Sequence, residues 1–191
     1  MYDKEYYKSV NYTDYLARGD RYKKLASEVL NFLDKMNLAE GPVLDFGCAV
    51  GFLLEELQKK LTNCYGVEVS EYCIEECKKK GLEIHHEPVR DMRHGIVFSL
   101  DVFEHMQEEE LETFIKNIET KVIVFRIPIC REGESDYVLD VSRRDPTHVI
   151  RWSKNKWKKY FESFGYKCVD LNLLTIYNSE GVYSGLAMKL D

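Results

Sequence analysis

VLDFGCAVGF, residues 43–52, is an apolar run that passes directly into a glycine-bearing turn. Residues 43–46 read as a buried strand, Gly47 and Gly51 bracket the turn, and the apolar spacing over 51–61 reads as the helix that follows. Strand, glycine turn and helix in this order let a ligand approach the backbone and face the amides of a helix N-terminus. Asp45 stands at the strand end. A carboxylate there repels a pyrophosphate and suits a cationic or hydroxylated ligand. The dinucleotide fingerprint Gly-x-Gly-x-x-Gly is not met, because the spacing is Gly47, Ala49, Gly51 and the next position is Phe52.

Outward from the turn, the second apolar run, 64–69, carries Glu68 near its end, 21 positions after Gly47. Dinucleotide folds use an acidic residue about 20 positions beyond the glycines to accept ribose hydroxyls, and Glu68 meets that requirement in position and chemistry. Strand and helix patterns then alternate: a helix over 71–80, runs at 82–86 and 96–100, a helix over 108–118 and a run at 121–127. Such alternation implies right-handed crossovers and a parallel sheet covered on both faces. Ahead of the turn, Leu25, Val29, Leu30, Phe32, Leu33 and Met36 form the inward face of a helix within 14–38, which Gly41 and Pro42 are expected to end. Residues 128–150 are polar and without period, a length of irregular chain that is usually functional. A helix over 153–164 follows, with Ser153 as N-cap and Gly165 at its stop, and two β-patterned runs, 167–174 and 182–189, make a hairpin around 177–181. The expectation is one α/β domain, 1–191, with a doubly wound, mostly parallel seven-stranded sheet and a C-terminal antiparallel hairpin. Within it, 1–40 would be a helical cap or lid, 43–127 the cofactor-binding core, 128–152 an acceptor-site insertion and 153–191 the C-terminal helix and hairpin.

Composition narrows the partners. A net charge of −6, from 33 acidic and 27 basic residues, argues against a protein that neutralises the phosphates of a duplex. The N-terminal ten residues are charged and tyrosine-rich with no apolar core of a leader, and no run approaches the ~20 apolar residues that span a bilayer. A cytoplasmic protein with no membrane or nucleic-acid partner is therefore expected. The six cysteines read as free thiols, and Cys73 with Cys77 lacks the second ligand pair of a zinc site.

Asp45, the turn and Glu68 resemble class I S-adenosylmethionine-dependent methyltransferases, whose first motif is an acidic residue, any residue, then Gly-x-Gly-x-Gly. The resemblance implies a Rossmann-like methyltransferase fold and S-adenosylmethionine as cofactor. It places Asp45 near the amino group of the methionine moiety, lets Gly47 and Gly51 shape the turn, and gives the ribose to Glu68, with Cys48, Ala49, Phe52 and Val69 beside them. Ala49 replaces the middle glycine. HHEPVRDM, residues 85–92, offers Glu87 and Val89 to the adenine, with Asp91 as rival. IVFSLDVFEHM, residues 96–106, resembles the fourth-strand region of the small-molecule branch, which implies that Leu100, Asp101 and His105 line the methyl-donor pocket.

The acceptor is expected beyond the carboxyl ends of the strands, where everything after Ile127 emerges. DPTHVIRWSKNKWKKYFESFGY, residues 145–166, is similar to a stretch of methyltransferases of glycan and natural-product pathways. Methyl transfer from a sulfonium asks the protein for positioning and, with a hydroxyl acceptor, for proton removal. His148, oriented by Asp145, is the first candidate base and His105 the second. Arg143 and Arg144 could read an acidic group on the acceptor. The N-terminal tyrosines Tyr2, Tyr6, Tyr7, Tyr12, Tyr15 and Tyr22 suit either a lid over the cofactor or a packed peripheral segment. The function expected is methylation of a small-molecule acceptor, O-methylation of a sugar or related metabolite first. A non-catalytic cofactor-binding regulator and a nicotinamide oxidoreductase are the alternatives. No metal site is assigned, although Asp101, Glu104 and His105 imitate an acid-x-x-Glu-His turn that holds a divalent ion in some members of the family.

Overall fold

The computed structural model describes residues 2–8, 17–38, 40–87 and 93–189. It divides within one strand into two compact units, Met1–Val97 and Phe98–Asp191. The first unit contains α1 (Gly19–Lys35), β1 (Val43–Phe46), α2 (Phe52–Gln58), β2 (Cys64–Val67), α3 (Glu71–Lys79) and β3 (Ile84–His85). Strand β4 (His94–Leu100) crosses the division. The second unit holds α4 (Glu108–Asn117), β5 (Thr120–Pro128), α5 (Asp140–Arg144), α6 (Lys154–Ser163), β6 (Tyr166–Asp170) and β7 (Val182–Lys189). Sheet order is β3-β2-β1-β4-β5-β7-β6, with β1, β2 and β3 paired parallel and β7 antiparallel to both β5 and β6. This is the Rossmann-like arrangement expected, seven strands with an antiparallel C-terminal end.

In the first unit, α1 buries Leu25, Ala26, Val29, Leu30 and Leu33. It stops well before Gly41. Asn37 takes a left-handed φ of 55°, its N–H donates to the Asp34 carbonyl at 2.9 Å, and Leu38 N–H donates to Leu33 at 2.8 Å. This is a Schellman-type end, which an asparagine supports because its short side chain tolerates the left-handed region. Met36, expected on the buried face, lies past that end and is 52% exposed. Ser70 caps α3 by accepting the Cys73 N–H at 3.3 Å, and α3 turns Cys73, Ile74 and Cys77 inward. The third strand has two residues, against the five of the expected run.

The second unit is built on β5, where Phe125 stacks on Phe161 of α6 at 5.0 Å and meets the edge of Tyr183 of β7 at 4.9 Å. Trp157 and Phe161 are fully buried beneath it. Ser153 caps α6 through the Lys156 N–H at 3.3 Å, and Gly165 closes it with φ 80°. Strand β6 ends at Asp170 instead of running to 174. Beyond it the Asn178 side chain takes over β7, its amide donating to the Ser184 carbonyl at 2.8 Å and its oxygen accepting the Ser184 N–H at 3.3 Å. At the Ser184 N–H a side chain thereby stands in for a backbone acceptor, while the Ser184 carbonyl also accepts the Leu171 N–H at 3.0 Å, and Leu174 stands 91% exposed. The expected irregular stretch is partly ordered: α5 forms within it, and Cys130 bridges both Tyr137 and Ser153.

Candidate active site

In the first unit the turn after β1 places three consecutive odd positions in the left-handed region, Gly47 at φ 74°, Ala49 at 48° and Gly51 at 79°. Alanine there costs about 1–2 kcal/mol relative to a right-handed residue. Glu68 holds it in place: one carboxylate oxygen accepts the Ala49 N–H at 2.9 Å, and the other accepts the N–H groups of Val69 at 2.8 Å and Ser70 at 2.9 Å. Glycine at position 51 is also a packing requirement, since a Cβ would lie 2.6 Å from Leu82 Cδ1 and 2.8 Å from Cys77 Sγ. Cys48 contributes backbone only, because its thiol is buried and faces the Ala49 carbonyl at 3.9 Å. Val69 likewise matters through its N–H, its side chain being exposed.

Asp45 is buried under this turn, and its Oδ2 has no hydrogen-bond partner among the described residues. Burial first, and the Glu68 carboxylate second, push its carboxyl up to about 7, against a smaller opposite pull from the Leu54 backbone. The N-terminal tyrosines pack onto the same turn. Tyr7 is buried with Ala49, Val50 and Cys73, and Tyr2, Tyr6, Tyr22, Phe52 and Tyr72 surround them. Phe52 stacks on Tyr22 at 5.9 Å with the Lys80 ammonium 4.6 Å from its ring centre, and the Ser70 hydroxyl donates to the Tyr2 carbonyl. Glu87 is exposed just after β3, whereas Val89, Asp91, Tyr12 and Tyr15 lie outside the described residues.

The second unit assembles a different group around the short 3-10 turn Phe103–His105 that follows β4. Asp101, at a left-handed φ of 57°, receives the Arg126 guanidinium on Oδ2 at 3.1 Å, while Leu100 precedes it half-buried. The rings of His105 and His148 meet edge to face at 4.5 Å. The Asp145 carbonyl accepts the His148 N–H at 3.3 Å, while its carboxylate Oδ2 stands 3.8 Å from His148 Nε2, too far to orient the ring by a hydrogen bond. Its Oδ1 instead accepts the Thr147 N–H at 2.9 Å and the Thr147 hydroxyl at 2.5 Å, and Thr147 Oγ1 lies 2.8 Å from His105 Nδ1. Since the hydroxyl's one proton goes to the carboxylate, Thr147 accepts from His105, which assigns the proton to Nδ1 and the lone pair to Nε2. The orienting role expected of Asp145 thus reaches His105 through Thr147. Burial and the neighbouring His148 push His105 down to about 4, and burial lowers His148 too, so both rings are neutral at pH 7.

Two members of this group, Thr147 and Tyr137, were not singled out from the sequence. Thr147 sits between Asp145 and His148 in DPTH, where its hydroxyl spacing was a usable signal. Tyr137 is buried, donates to the Ile150 carbonyl at 2.6 Å and meets the His148 ring at 5.3 Å, a contact no local pattern announces. Glu104, named from the sequence only as part of the Asp101, Glu104, His105 turn, is fully buried with both carboxylate oxygens lacking a hydrogen-bond partner among the described residues. Arg143 and Arg144 lie on α5, where both pair with Asp140.

A parallel sheet with a glycine turn after its first strand, an acid at the end of the second and an antiparallel last pair defines the nucleoside-binding methyltransferase class of α/β folds. A family model described as "Methyltransferase domain" matches residues 17–171, and the chain belongs to this family of S-adenosylmethionine-dependent methyltransferases. Solved structures agree in fold. A methyltransferase of Clostridium acetobutylicum superposes with a TM-score of 0.68 at 15% identity, covering 88% of this chain and 92% of the other. DesVI of Streptomyces venezuelae gives 0.66 at 17% identity, with 92% and 95% covered. The magnesium protoporphyrin IX methyltransferase of Synechocystis, solved with bound cofactor, gives 0.60 at 15% identity, with 95% and 85% covered. No curated protein sequence matches the chain.

The residues of the first unit fit the cofactor. Asp45 has a buried carboxylate oxygen without a hydrogen-bond partner among the described residues, the chemistry that a cationic amino group would satisfy. Glu68 has three of its roughly four lone-pair positions filled by backbone N–H groups, which leaves room to accept one hydroxyl rather than the pair expected of the ribose. Among the described residues no helix is long and apolar enough to cross a membrane.

Proposed function

We propose that the protein methylates a hydroxyl oxygen of a small molecule, a sugar or related metabolite, with the cofactor held by Asp45, the 47–51 turn and Glu68 and the acceptor handled by the polar group of the second unit. S-adenosylmethionine, when bound, supplies a methyl group on a sulfonium. The observation that carries the reading is the line from Asp145 through Thr147 to His105. A neutral imidazole held in place at Nδ1 by Thr147 and Asp145 has the chemistry by which a hydroxyl sheds its proton. A net charge of −6 and the absence of a basic domain in the sequence support a small acceptor over a nucleic acid.

Methyl transfer to a panel of sugars and hydroxylated metabolites, followed by mass spectrometry, tests the reading. On the acceptor found, His105→Asn is expected to lower kcat by ~10² with the affinity for S-adenosylhomocysteine, measured by calorimetry, unchanged. A methylated nitrogen in the product, or an unaltered kcat in the variant, overturns it.

A further inference from the structure

We propose that Glu104, His105 and His148 form a site for a divalent first-row transition ion, with a coordination position left for an oxygen of the acceptor. One carboxylate oxygen and one nitrogen from each imidazole all lie within 4.8 Å of one another. His148 Nε2 is 4.0 Å from Glu104 Oε1. Ligands at ~2.0–2.1 Å from a tetrahedral ion stand roughly 3.4 Å apart, so side-chain rotation closes the set around an ion.

Glu104 supplies the independent observation. Its carboxyl group is 0% exposed, and neither oxygen meets a hydrogen-bond donor among the described residues. A buried polar group left so costs several kcal/mol, and a carboxylate in such a place is neutralised by a proton or by a cation. Metal-bound histidines commonly donate their other N–H to a carboxylate or to a group leading to one, and His105 does so through Thr147 to Asp145.

The backbone holds these donors together. The Glu104 carbonyl accepts the N–H groups of Val149 at 2.8 Å and Ile150 at 3.1 Å, tying the turn that carries Glu104 and His105 to the segment that carries His148. Two imidazoles and one carboxylate select Zn²⁺, Co²⁺, Fe²⁺ or Mn²⁺ over Mg²⁺ or Ca²⁺, which prefer all-oxygen sets. Asp101 stays outside the set, engaged by Arg126. Glu104 and His148 are buried whereas His105 is partly exposed, so the open position lies on the His105 side. The ion deepens the proposed function and rests on it for the nature of the acceptor: a coordinated hydroxyl breaks its O–H bond at lower pH, the proton passes to water, and the oxygen keeps the electron pair. The imidazoles then serve as ligands rather than as the proton's destination.

Protein free of a histidine tag should take up one equivalent of Co²⁺ with visible d–d absorption, and Mg²⁺ should not displace it. Glu104→Gln and His148→Asn should each weaken Co²⁺ binding 10-fold or more, with circular dichroism and S-adenosylhomocysteine binding unchanged. Glutamine copies the shape of the neutral carboxyl group; if that variant does not fold, His148→Asn makes the same comparison. Absence of a Co²⁺ spectrum, or wild-type affinity in the variants, overturns the site. Should the same sample still bind S-adenosylhomocysteine, the methyltransferase reading stands and the ion site alone falls; Co²⁺ uptake without S-adenosylhomocysteine binding supports the ion site and removes the other.

Discussion

Asp45 is a buried carboxyl group whose burial costs stability once it ionises. Its folded pKa of about 7 lies above the unfolded value of 3.8, so between these limits the folded state binds the extra proton. The sign follows: stability from this group is complete below about pH 4 and is lost as pH rises through 7, at about 1.4 kcal/mol per unit of separation. A cationic ligand reverses the preference, because it needs the carboxylate. Affinity for S-adenosylhomocysteine is therefore expected to strengthen as pH rises from 6 to 8. Asp45→Asn should flatten that profile in calorimetry and raise the melting temperature at pH 8. A profile that keeps its slope in the variant would assign the titration to another group.

At the scale of elements, the turn between β1 and α2 is fixed from two sides. Glu68 holds Ala49 by its N–H, and Cys77 donates its thiol to the Ala49 carbonyl at 3.3 Å. Gly51 fits only because Leu82 and Cys77 occupy the space where a side chain would be. Gly51→Ala should cost about 2–4 kcal/mol, the sum of left-handed strain and overpacking, in denaturant unfolding. A turn that was loose would absorb the methyl group with less than about 1 kcal/mol. The Tyr7 segment packs on the same turn, so the cap and the ligand loop share one apolar cluster.

Across the whole molecule, charge and thiol chemistry are distributed without disulfides. All six cysteines are free and buried, several with thiols pushed up by burial, among them Cys73 to about 12 and Cys168 to about 11. Raised thiols are poor nucleophiles. A thiol reagent at pH 8 should find almost none of them in the native protein and six after denaturation, a count that spectrophotometry reads directly. Prompt reaction of the native protein would place a cysteine at the surface.

Much of the fold was legible in the chain because its determinants are local. Period and turn chemistry identify β1, β2, α3, β5, α6 and the antiparallel ending, and Asp45, Gly47, Gly51 and Glu68 follow from one turn and one strand end. Boundaries moved where the backbone turned left-handed, as at Asn37 after α1, and where a side chain stood in for backbone, as Asn178 does for the Ser184 N–H beyond β6, since capping and strand mimicry depend on contacts that periodicity does not record. The polar group of the second unit was legible only in pieces. His105 and His148 stand 43 positions apart, and their ring contact, the Thr147 bridge and the orphaned Glu104 exist only once the Glu104 carbonyl has captured the amides after His148. Sequence alone determined which elements form and which strand ends carry acids, because propensity and hydrophobic period act over a few residues. Tertiary structure alone decided which polar atoms are buried and which meet, because desolvation and long-range hydrogen bonding depend on the packed chain.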